Sequence, residues 1–104
     1  MSVIEKLAAT IAARASASAD SSYTAKLLAG GVEKCAKKFG EEAVELVLAA
    51  ASKDKAQTAN EAADVIYHLL VLLQASGVSL SEVEKVLASR ESQSGLEEKA
   101  SRRG

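Results

Sequence analysis

The spacing of apolar residues along the chain predicts helices from one end to the other. Over residues 3–11, apolar side chains recur at every third or fourth position, which is the period of one helical face. Ser2 in front of this stretch and Glu5 three residues later form the capping-box pattern that begins a helix. The first helix is therefore predicted to run to about Ala15, and the small polar residues 16–22 are predicted to form a loop.

Glycines divide the next helical stretch. Residues 23–29 predict a short helix that Gly30 and Gly31 end, because paired glycines usually stop or kink a helix. A longer helix is predicted over residues 32–53. It contains Gly40, which costs about 1 kcal/mol relative to alanine and indicates either close approach of another group to the backbone or a local kink.

The later helices are predicted from N-cap residues that are followed three positions on by Glu or Gln. The pairs are Asp54 with Gln57, Ser79 with Glu82, and Ser94 with Glu97. They predict helices that end at about Ser76, Glu91 and Ala100. Residues 101–104 are expected to form a frayed tail.

The composition supports an all-α fold. The 104 residues are 48% hydrophobic, chiefly alanine, leucine and valine, and they include no proline. Alanine and leucine are strong helix formers, and a chain of this length usually forms one domain, so a single helical bundle over residues 1–104 is predicted. Small alanine-rich bundles often complete their core by pairing, so a homodimer is expected.

Charge and cysteine content indicate which binding partners and which cellular compartment to expect. The 13 basic and 14 acidic residues give a net charge of −1, which provides no general attraction to nucleic acid or to an anionic membrane. Cys35 is the single cysteine, so an internal disulfide is excluded and a reducing compartment is expected. Residues 1–11 lack the apolar run of a signal peptide, and the apolar residues 65–73 are too few to span a bilayer. A cytoplasmic protein is predicted.

Two acidic segments carry the candidate chemistry. The third predicted helix contains Glu41, Glu42 and Glu45, and the fourth contains Glu61 and Asp64. Carboxylates three residues apart share one helical face. If the two faces pack together, up to five carboxylates meet, and like charges raise one another's pKa. A divalent cation relieves that repulsion, and all-oxygen ligation favours Mg²⁺, with Mn²⁺ as a substitute.

The surroundings of the two segments differ. On the third helix alone, a solvated face of ordinary Lys–Glu pairs is the simpler interpretation, beside an apolar stripe of Val44, Val47, Leu48 and Ala51. The fourth helix is apolar almost all round over residues 62–73, which predicts a central, buried position where an unpaired carboxylate is very costly. A metal site is therefore the stronger prediction. His68 is expected to be a packed histidine rather than a ligand, and Cys35 a small buried hydrophobe.

Four lysines indicate that phosphate is the other partner of the cation. Mg²⁺ held by carboxylates commonly takes phosphate oxygens as further ligands, and the lysines predicted to contact those oxygens are Lys26, Lys34, Lys37 and Lys38. No glycine-rich P-loop is present in the sequence. Attack of water on a phosphoanhydride is the reaction that such a site predicts, with a base supplied by the acidic cluster.

Three segments of the sequence closely resemble the phosphoribosyl-ATP pyrophosphohydrolase family, within the all-α nucleoside triphosphate pyrophosphatase superfamily. They are SYTAKLL (residues 22–28), KKFGEEAVE (37–45) and EAADVIYHLL (61–70). The resemblance covers about residues 3–90 and extends to the ending at 96–102. Glu-x-x-Glu followed by Glu-x-x-Asp is the superfamily signature, and the SYTAKLL and AADVIYHLLVLL segments narrow it to this family.

The resemblance implies hydrolysis of phosphoribosyl-ATP to phosphoribosyl-AMP and pyrophosphate, the second step of histidine biosynthesis. It also implies Mg²⁺ dependence and an α-helical dimer with sites near the subunit interface. By position, the metal ligands would be Glu42, Glu45, Glu61 and Asp64. Glu41 is assigned as the base that activates water, with ligation of a second metal as the alternative. Ser22, Tyr23 and Thr24 would help the lysines to hold substrate.

Two other functions remain open from the sequence. The same chemistry could act on non-canonical or surplus nucleoside triphosphates, because both substrate classes share the triphosphate. In the other interpretation the chain is a non-catalytic helical dimer or adaptor, whose acidic lines merely face solvent. The cyclohydrolase domain that is fused to the enzyme in some relatives has no counterpart in these residues, so a separate protein is expected to catalyse the next step.

Overall fold

The computed structural model describes residues 1–91, which form five helices and contain no strand. The helices are α1 (Val3–Arg14), α2 (Tyr23–Ala29), α3 (Gly31–Ala51), α4 (Lys55–Ala75) and α5 (Leu80–Glu91). The predicted all-α fold is confirmed. The short helix predicted to begin after Ser94 and the frayed tail at 101–104 lie outside the described residues.

Local capping interactions begin and end the helices. The backbone amide of Ser2 donates to the Glu5 carboxylate over 3.0 Å, and the amide of Glu5 donates to the Ser2 hydroxyl over 3.1 Å, which completes the predicted capping box of α1. At the end of α4, Gly77 adopts φ +72°, a conformation that glycine reaches without strain. The amide of Val78 then donates back to the carbonyl of Leu73 over 3.0 Å, and this bond closes the helix.

Two predicted details at the α3–α4 junction are wrong. α3 ends at Ala51 instead of Lys53, because Lys53 adopts the left-handed conformation, φ 62°, that reverses the chain. Asp54 caps α4 by accepting a hydrogen bond of 3.0 Å from the amide of Gln57. The Gln57 side chain does not complete a capping box; it donates to the carboxylate of Glu61 over 2.8 Å.

The buried core gathers around the C-terminal half of α4. α3 and α4 pack together as a helical hairpin, α1 lies on α4, and α2 contacts both helices of the hairpin. The core side chains, each at most 4% exposed, are Ile11, Leu27, Cys35, Leu70 and Val71. Every helix from α1 to α4 therefore contributes to one core, whereas α5 buries no side chain.

The apolar stripe of α3 lies outside this core. Val44, Val47 and Leu48 are 57%, 64% and 59% exposed. The radius of gyration of the Cα atoms is 15.8 Å, compared with about 13 Å for a compact domain of this length. Within residues 1–91, an apolar helical face is therefore left uncovered.

No single helix in residues 1–91 is long and apolar enough to cross a bilayer. α4 and α5 meet the length and composition requirement only as a pair, and the pair is bent by 111° at the break between the two helices.

Candidate metal and substrate site

The two acidic segments meet where α3 packs against α4. Glu42 of α3 and the pair Glu61 and Asp64 of α4 each offer a carboxylate oxygen, and these three oxygens lie within 4.8 Å of one another. Glu61 and Asp64 share a face because they are three residues apart, and helix packing brings Glu42 opposite them. The structure thus assembles three of the predicted ligands into one carboxylate cluster.

Glu45 and Glu41 lie at the margin of the carboxylate cluster. Glu45 is exposed, yet its charge acts on Glu61, so the two carboxylates are close. Glu41 is also exposed, and because it precedes Glu42 by one residue it is rotated by about 100° around the helix. The assignments of Glu45 as a ligand and of Glu41 as the base stay predictions.

Electrostatics of the cluster fit a bound cation. Partial burial and then the negative charges of Asp64, Glu42 and Glu45 raise the pKa of the Glu61 carboxyl above its ordinary value. The hydrogen bond that Gln57 donates to Glu61 opposes this rise in pKa. A divalent cation would relieve the repulsion, and a donor set made only of carboxylate oxygens suits Mg²⁺ or Mn²⁺.

The α4 carboxylates are less buried than the sequence predicts. Glu61 is half-buried and Asp64 is exposed, so the expectation of an acidic line on a buried helix is wrong within the single chain. The residues of α4 that form the core or pack against it, among them Ile66, Leu70 and Val71, all come after Val65. The carboxylate cluster therefore lies at the edge of the core, open to a ligand.

His68 and Cys35 are packed, as predicted. His68 is 6% exposed, and burial is the main cause that lowers its pKa; Lys38 lowers it further, while Glu42 and Asp64 oppose the change. Cys35 is buried, and its thiol donates to the carbonyl of Leu27 over 3.2 Å. Neither side chain belongs to the carboxylate cluster.

The SYTAKLL segment forms the start of α2. The hydroxyl of Ser22 caps the helix by accepting from the amide of Ala25 over 3.2 Å, and the hydroxyl of Thr24 lies 2.5 Å from that of Tyr67. Both residues are buried, whereas Tyr23 is 55% exposed and Lys26 is exposed. Tyr23 and Lys26 help to line an open hollow of about 510 Å³ with residues 19–22. Of this segment, they are the side chains accessible to a substrate.

The lysines of α3 lie along the helix between the α2–α3 corner and the carboxylates. Lys34 and Lys37 are exposed, and Lys38 is half-buried near His68. The stem of Lys34 lies against Gly30, where an added Cβ would stand 2.3 Å from Lys34 Cδ. Glycine at this position therefore leaves room for Lys34 to fold back over the corner.

Sequence reasoning missed the roles of Gln57 and Tyr67. Gln57 fits a capping pattern, and that local signal concealed its hydrogen bond to Glu61. Tyr67 lies in an apolar run and carries no motif of its own, but it bonds to Thr24, which is 43 positions away in the sequence. A polar hydroxyl within an otherwise apolar helix was the one available signal, because such a group needs a partner when it is buried.

Fold and site together define an all-α protein with a carboxylate cluster suited to a divalent cation and lysines suited to phosphate. The family model described as "Phosphoribosyl-ATP pyrophosphohydrolase" matches residues 4–91. A "Phosphoribosyl-ATP pyrophosphatase" of Cereibacter sphaeroides is 61% identical over 102 residues, which cover 98% of this chain and 99% of the relative. The chain therefore belongs to the phosphoribosyl-ATP pyrophosphohydrolase family, a family of hydrolases.

Other relatives match over similar lengths. A "Phosphoribosyl-ATP pyrophosphatase" of Dinoroseobacter shibae is 61% identical over 98% of this chain and 100% of its own length. A "Phosphoribosyl-ATP pyrophosphatase 1" of Rhodopseudomonas palustris is 59% identical over 96% of this chain and 94% of its own length. The resemblance found in the sequence is thus confirmed at the level of the family, and a non-catalytic adaptor does not agree with it.

Proposed function

We propose that this protein hydrolyses phosphoribosyl-ATP between its α- and β-phosphates, giving phosphoribosyl-AMP and pyrophosphate, as the second step of histidine biosynthesis. The observation that carries the proposal is the carboxylate cluster of Glu42, Glu61 and Asp64, in a chain that belongs to the phosphoribosyl-ATP pyrophosphohydrolase family. Relatives that match almost the whole chain are named phosphoribosyl-ATP pyrophosphatases, and that name gives the substrate.

The cation of this reaction is proposed to be Mg²⁺, with Mn²⁺ as a substitute. The proposed ligands are Glu42, Glu45, Glu61 and Asp64. Support comes from the short distances within the carboxylate cluster and from the mutual repulsion that raises the pKa of Glu61. When bound, the cation would neutralise phosphate oxygens and so favour departure of pyrophosphate.

The protein side chains have separate tasks in this proposal. Glu41 accepts a proton from the attacking water, whose oxygen forms the new bond to phosphorus as the bond to the bridging oxygen breaks. Pyrophosphate leaves with the electrons of that bond. Substrate is held by Tyr23 of the α2 segment, which Ser22 and Thr24 shape, and the outer phosphate oxygens are bound by Lys26, Lys34, Lys37 and Lys38.

A homodimer with sites near the subunit interface completes the proposal. The exposed stripe of Val44, Val47 and Leu48 is an apolar surface of the kind that a second copy covers. It lies on the same helix as Glu42 and Glu45, so an interface through this stripe would be about one helix diameter, roughly 10–12 Å, from the carboxylate cluster. The proposed location is the cytoplasm, in agreement with the free thiol of Cys35.

The decisive experiment measures release of pyrophosphate from phosphoribosyl-ATP, ATP and deoxynucleoside triphosphates, each with and without Mg²⁺. Rapid Mg²⁺-dependent release from phosphoribosyl-ATP alone is expected. Equal or faster release from the simple triphosphates would instead support an enzyme that clears surplus nucleotides. Absence of release from every substrate would contradict the proposed function.

A further inference from the structure

Tyr67 has no task in the reaction described above, yet it joins α2 to α4. Its hydroxyl oxygen lies 2.5 Å from Oγ1 of Thr24, so the two hydroxyls share a short hydrogen bond. Thr24 is 9% exposed and Tyr67 is half-buried. Among the side-chain hydrogen bonds of residues 1–91, this Thr24–Tyr67 bond is the one between α2 and α4.

A ring contact lies beside the hydrogen bond, between the residue before Thr24 and the residue after Tyr67. The Tyr23 ring meets the His68 ring edge-on at a centroid distance of 6.5 Å, and His68 packs against Tyr67 at 4.9 Å. Both distances lie in the favourable range for edge-to-face pairs. Since His68 lies near enough to Glu42 and Asp64 for their charges to act on it, this contact connects α2 with the surroundings of the carboxylate cluster.

The rest of α2 is attached elsewhere. Near the C-terminal end of α2, the Cys35 thiol of α3 donates to the carbonyl of Leu27. At its beginning, Ser22 bonds only within the first turn, to the amide of Ala25. Apolar packing of Leu27 in the core also joins α2 to α4, but the hydrogen bond and the ring contact that join them at the first turn of α2 are those of Thr24 with Tyr67 and of Tyr23 with His68.

We propose that Thr24 and Tyr67 are positioning residues, whose shared hydrogen bond holds the first turn of α2 so that Tyr23 and Lys26 face the substrate beside the carboxylate cluster. In this role neither hydroxyl needs to touch substrate, because its effect on binding passes through the position of the first turn of α2. This role differs from the direct substrate contact that the family resemblance implies for Thr24. The reaction concerned is the proposed hydrolysis of phosphoribosyl-ATP, on which the inference rests.

The test compares Thr24→Val, Tyr67→Phe and the double variant in steady-state release of pyrophosphate. Each single variant is expected to raise KM for phosphoribosyl-ATP about 5-fold to 10-fold, the equivalent of one hydrogen bond of about 1 kcal/mol. The value of kcat and the Mg²⁺ concentration for half-maximal rate should stay near those of the wild type. The double variant should be no worse than either single variant, because the two hydroxyls act as one unit.

Two matched variants separate positioning from general stability. Thr24→Ser keeps the hydroxyl and is expected to restore KM. Thr10→Val removes a hydroxyl that bonds only to the Lys6 carbonyl within α1, and KM should not change. A merely structural role would reduce the folded fraction, and hence apparent kcat, while KM stayed constant; that result would overturn the proposal, as would additive effects in the double variant.

A readout without substrate distinguishes failure of this inference from failure of the proposed function. Hydrogen exchange at the amides of α2 should accelerate in Thr24→Val and Tyr67→Phe but not in Thr10→Val. If the wild type releases no pyrophosphate from phosphoribosyl-ATP, the proposed function fails. Hydrogen exchange then tests by itself whether the Thr24–Tyr67 bond holds the first turn of α2. Unchanged protection of α2 in both variants would then overturn the claim that the bond holds this turn.

Discussion

The α3–α4 hairpin has two halves that differ in what covers them. We call Cys35 and residues 66–75 the covered half, because they supply every core residue of the hairpin. Residues 44–51 and 55–65 form the bare half, in which Ala49 alone is buried. The side chains of the covered half form their core within one chain. The bare half presents exposed apolar side chains that do not belong to that core. We count the four proposed metal ligands, Glu42, Glu45, Glu61 and Asp64, separately from both halves and call them the boundary.

This difference separates the folding of the chain from its function. Burial in the covered half stabilises the monomer, since each large apolar side chain removed from water contributes about 1.5–3 kcal/mol. The boundary instead concentrates negative charge on residues that remain accessible, an arrangement that costs stability and that the proposed cation would relieve. Substitutions in the three regions should accordingly change different measured properties.

The largest expected effect is at the boundary. Asp64→Asn and Glu45→Gln should each lower kcat for pyrophosphate release by at least about 100-fold, which is typical for loss of one preorganised charged group at a reacting centre. The fold should survive, and the Tm of the metal-free protein should rise because one of several crowded anions is removed. Assays at saturating Mg²⁺ and metal-free thermal melts measure the two effects. Retained turnover in both variants would contradict the ligand assignment.

In the bare half, Val47→Glu should dissociate the proposed homodimer. Val47 is 64% exposed in the single chain, and in a dimer the new carboxylate would be buried without a partner, which is very costly. Sedimentation velocity should show a shift from twice the chain mass to a species of 10.8 kDa. Val3→Glu on α1, where the side chain is 80% exposed, is the matched control and should leave the assembly unchanged. Equal behaviour of the two variants would rule out the bare half as the interface.

The covered half is tested by Leu70→Ala. Leu70 is 4% exposed, so truncation should lower the free energy of unfolding by about 2–5 kcal/mol at any protein concentration. Leu48→Ala in the bare half should cost stability only at concentrations where the dimer forms. Urea unfolding over a range of protein concentrations checks both. If Leu48→Ala were as costly in dilute monomer as Leu70→Ala, the distinction between the two halves would be lost.

A smaller effect concerns pH. The pKa of Glu61 is raised in the folded protein. Its contribution to the free energy of unfolding is therefore most favourable below the unfolded-state pKa, about 4.3. That contribution is lost as pH rises through the folded-state pKa. The metal-free protein should therefore lose part of its stability over that window, and Mg²⁺ should restore it. Thermal melts against pH should show a weaker dependence for Glu61→Gln, with Glu84→Gln on α5 as the control. If the slope of Tm against pH were the same in Glu61→Gln as in the wild type, titration of Glu61 would not be the cause of the loss of stability.

Much of the local structure could be predicted because its causes are local. The capping box of Ser2 and Glu5 forms as the spacing predicts, and Gly77 ends α4 through a positive φ that most residues avoid. The common face of Glu61 and Asp64 also follows from helical spacing alone. Gln57 shows the limit of this reasoning, since its side chain had two possible partners and the prediction chose the backbone over Glu61.

The sequence by itself determined the helices, the all-α class and the residues that form the candidate site, because caps, helix propensity and three-residue spacing act over a few positions. Only the tertiary structure decided which apolar face is buried and how Thr24 meets Tyr67. It also decided that the α4 carboxylates lie at the edge of the core and remain accessible. The physical reason is that burial depends on which helices cover a surface, and that choice is made by contacts between residues far apart in the chain.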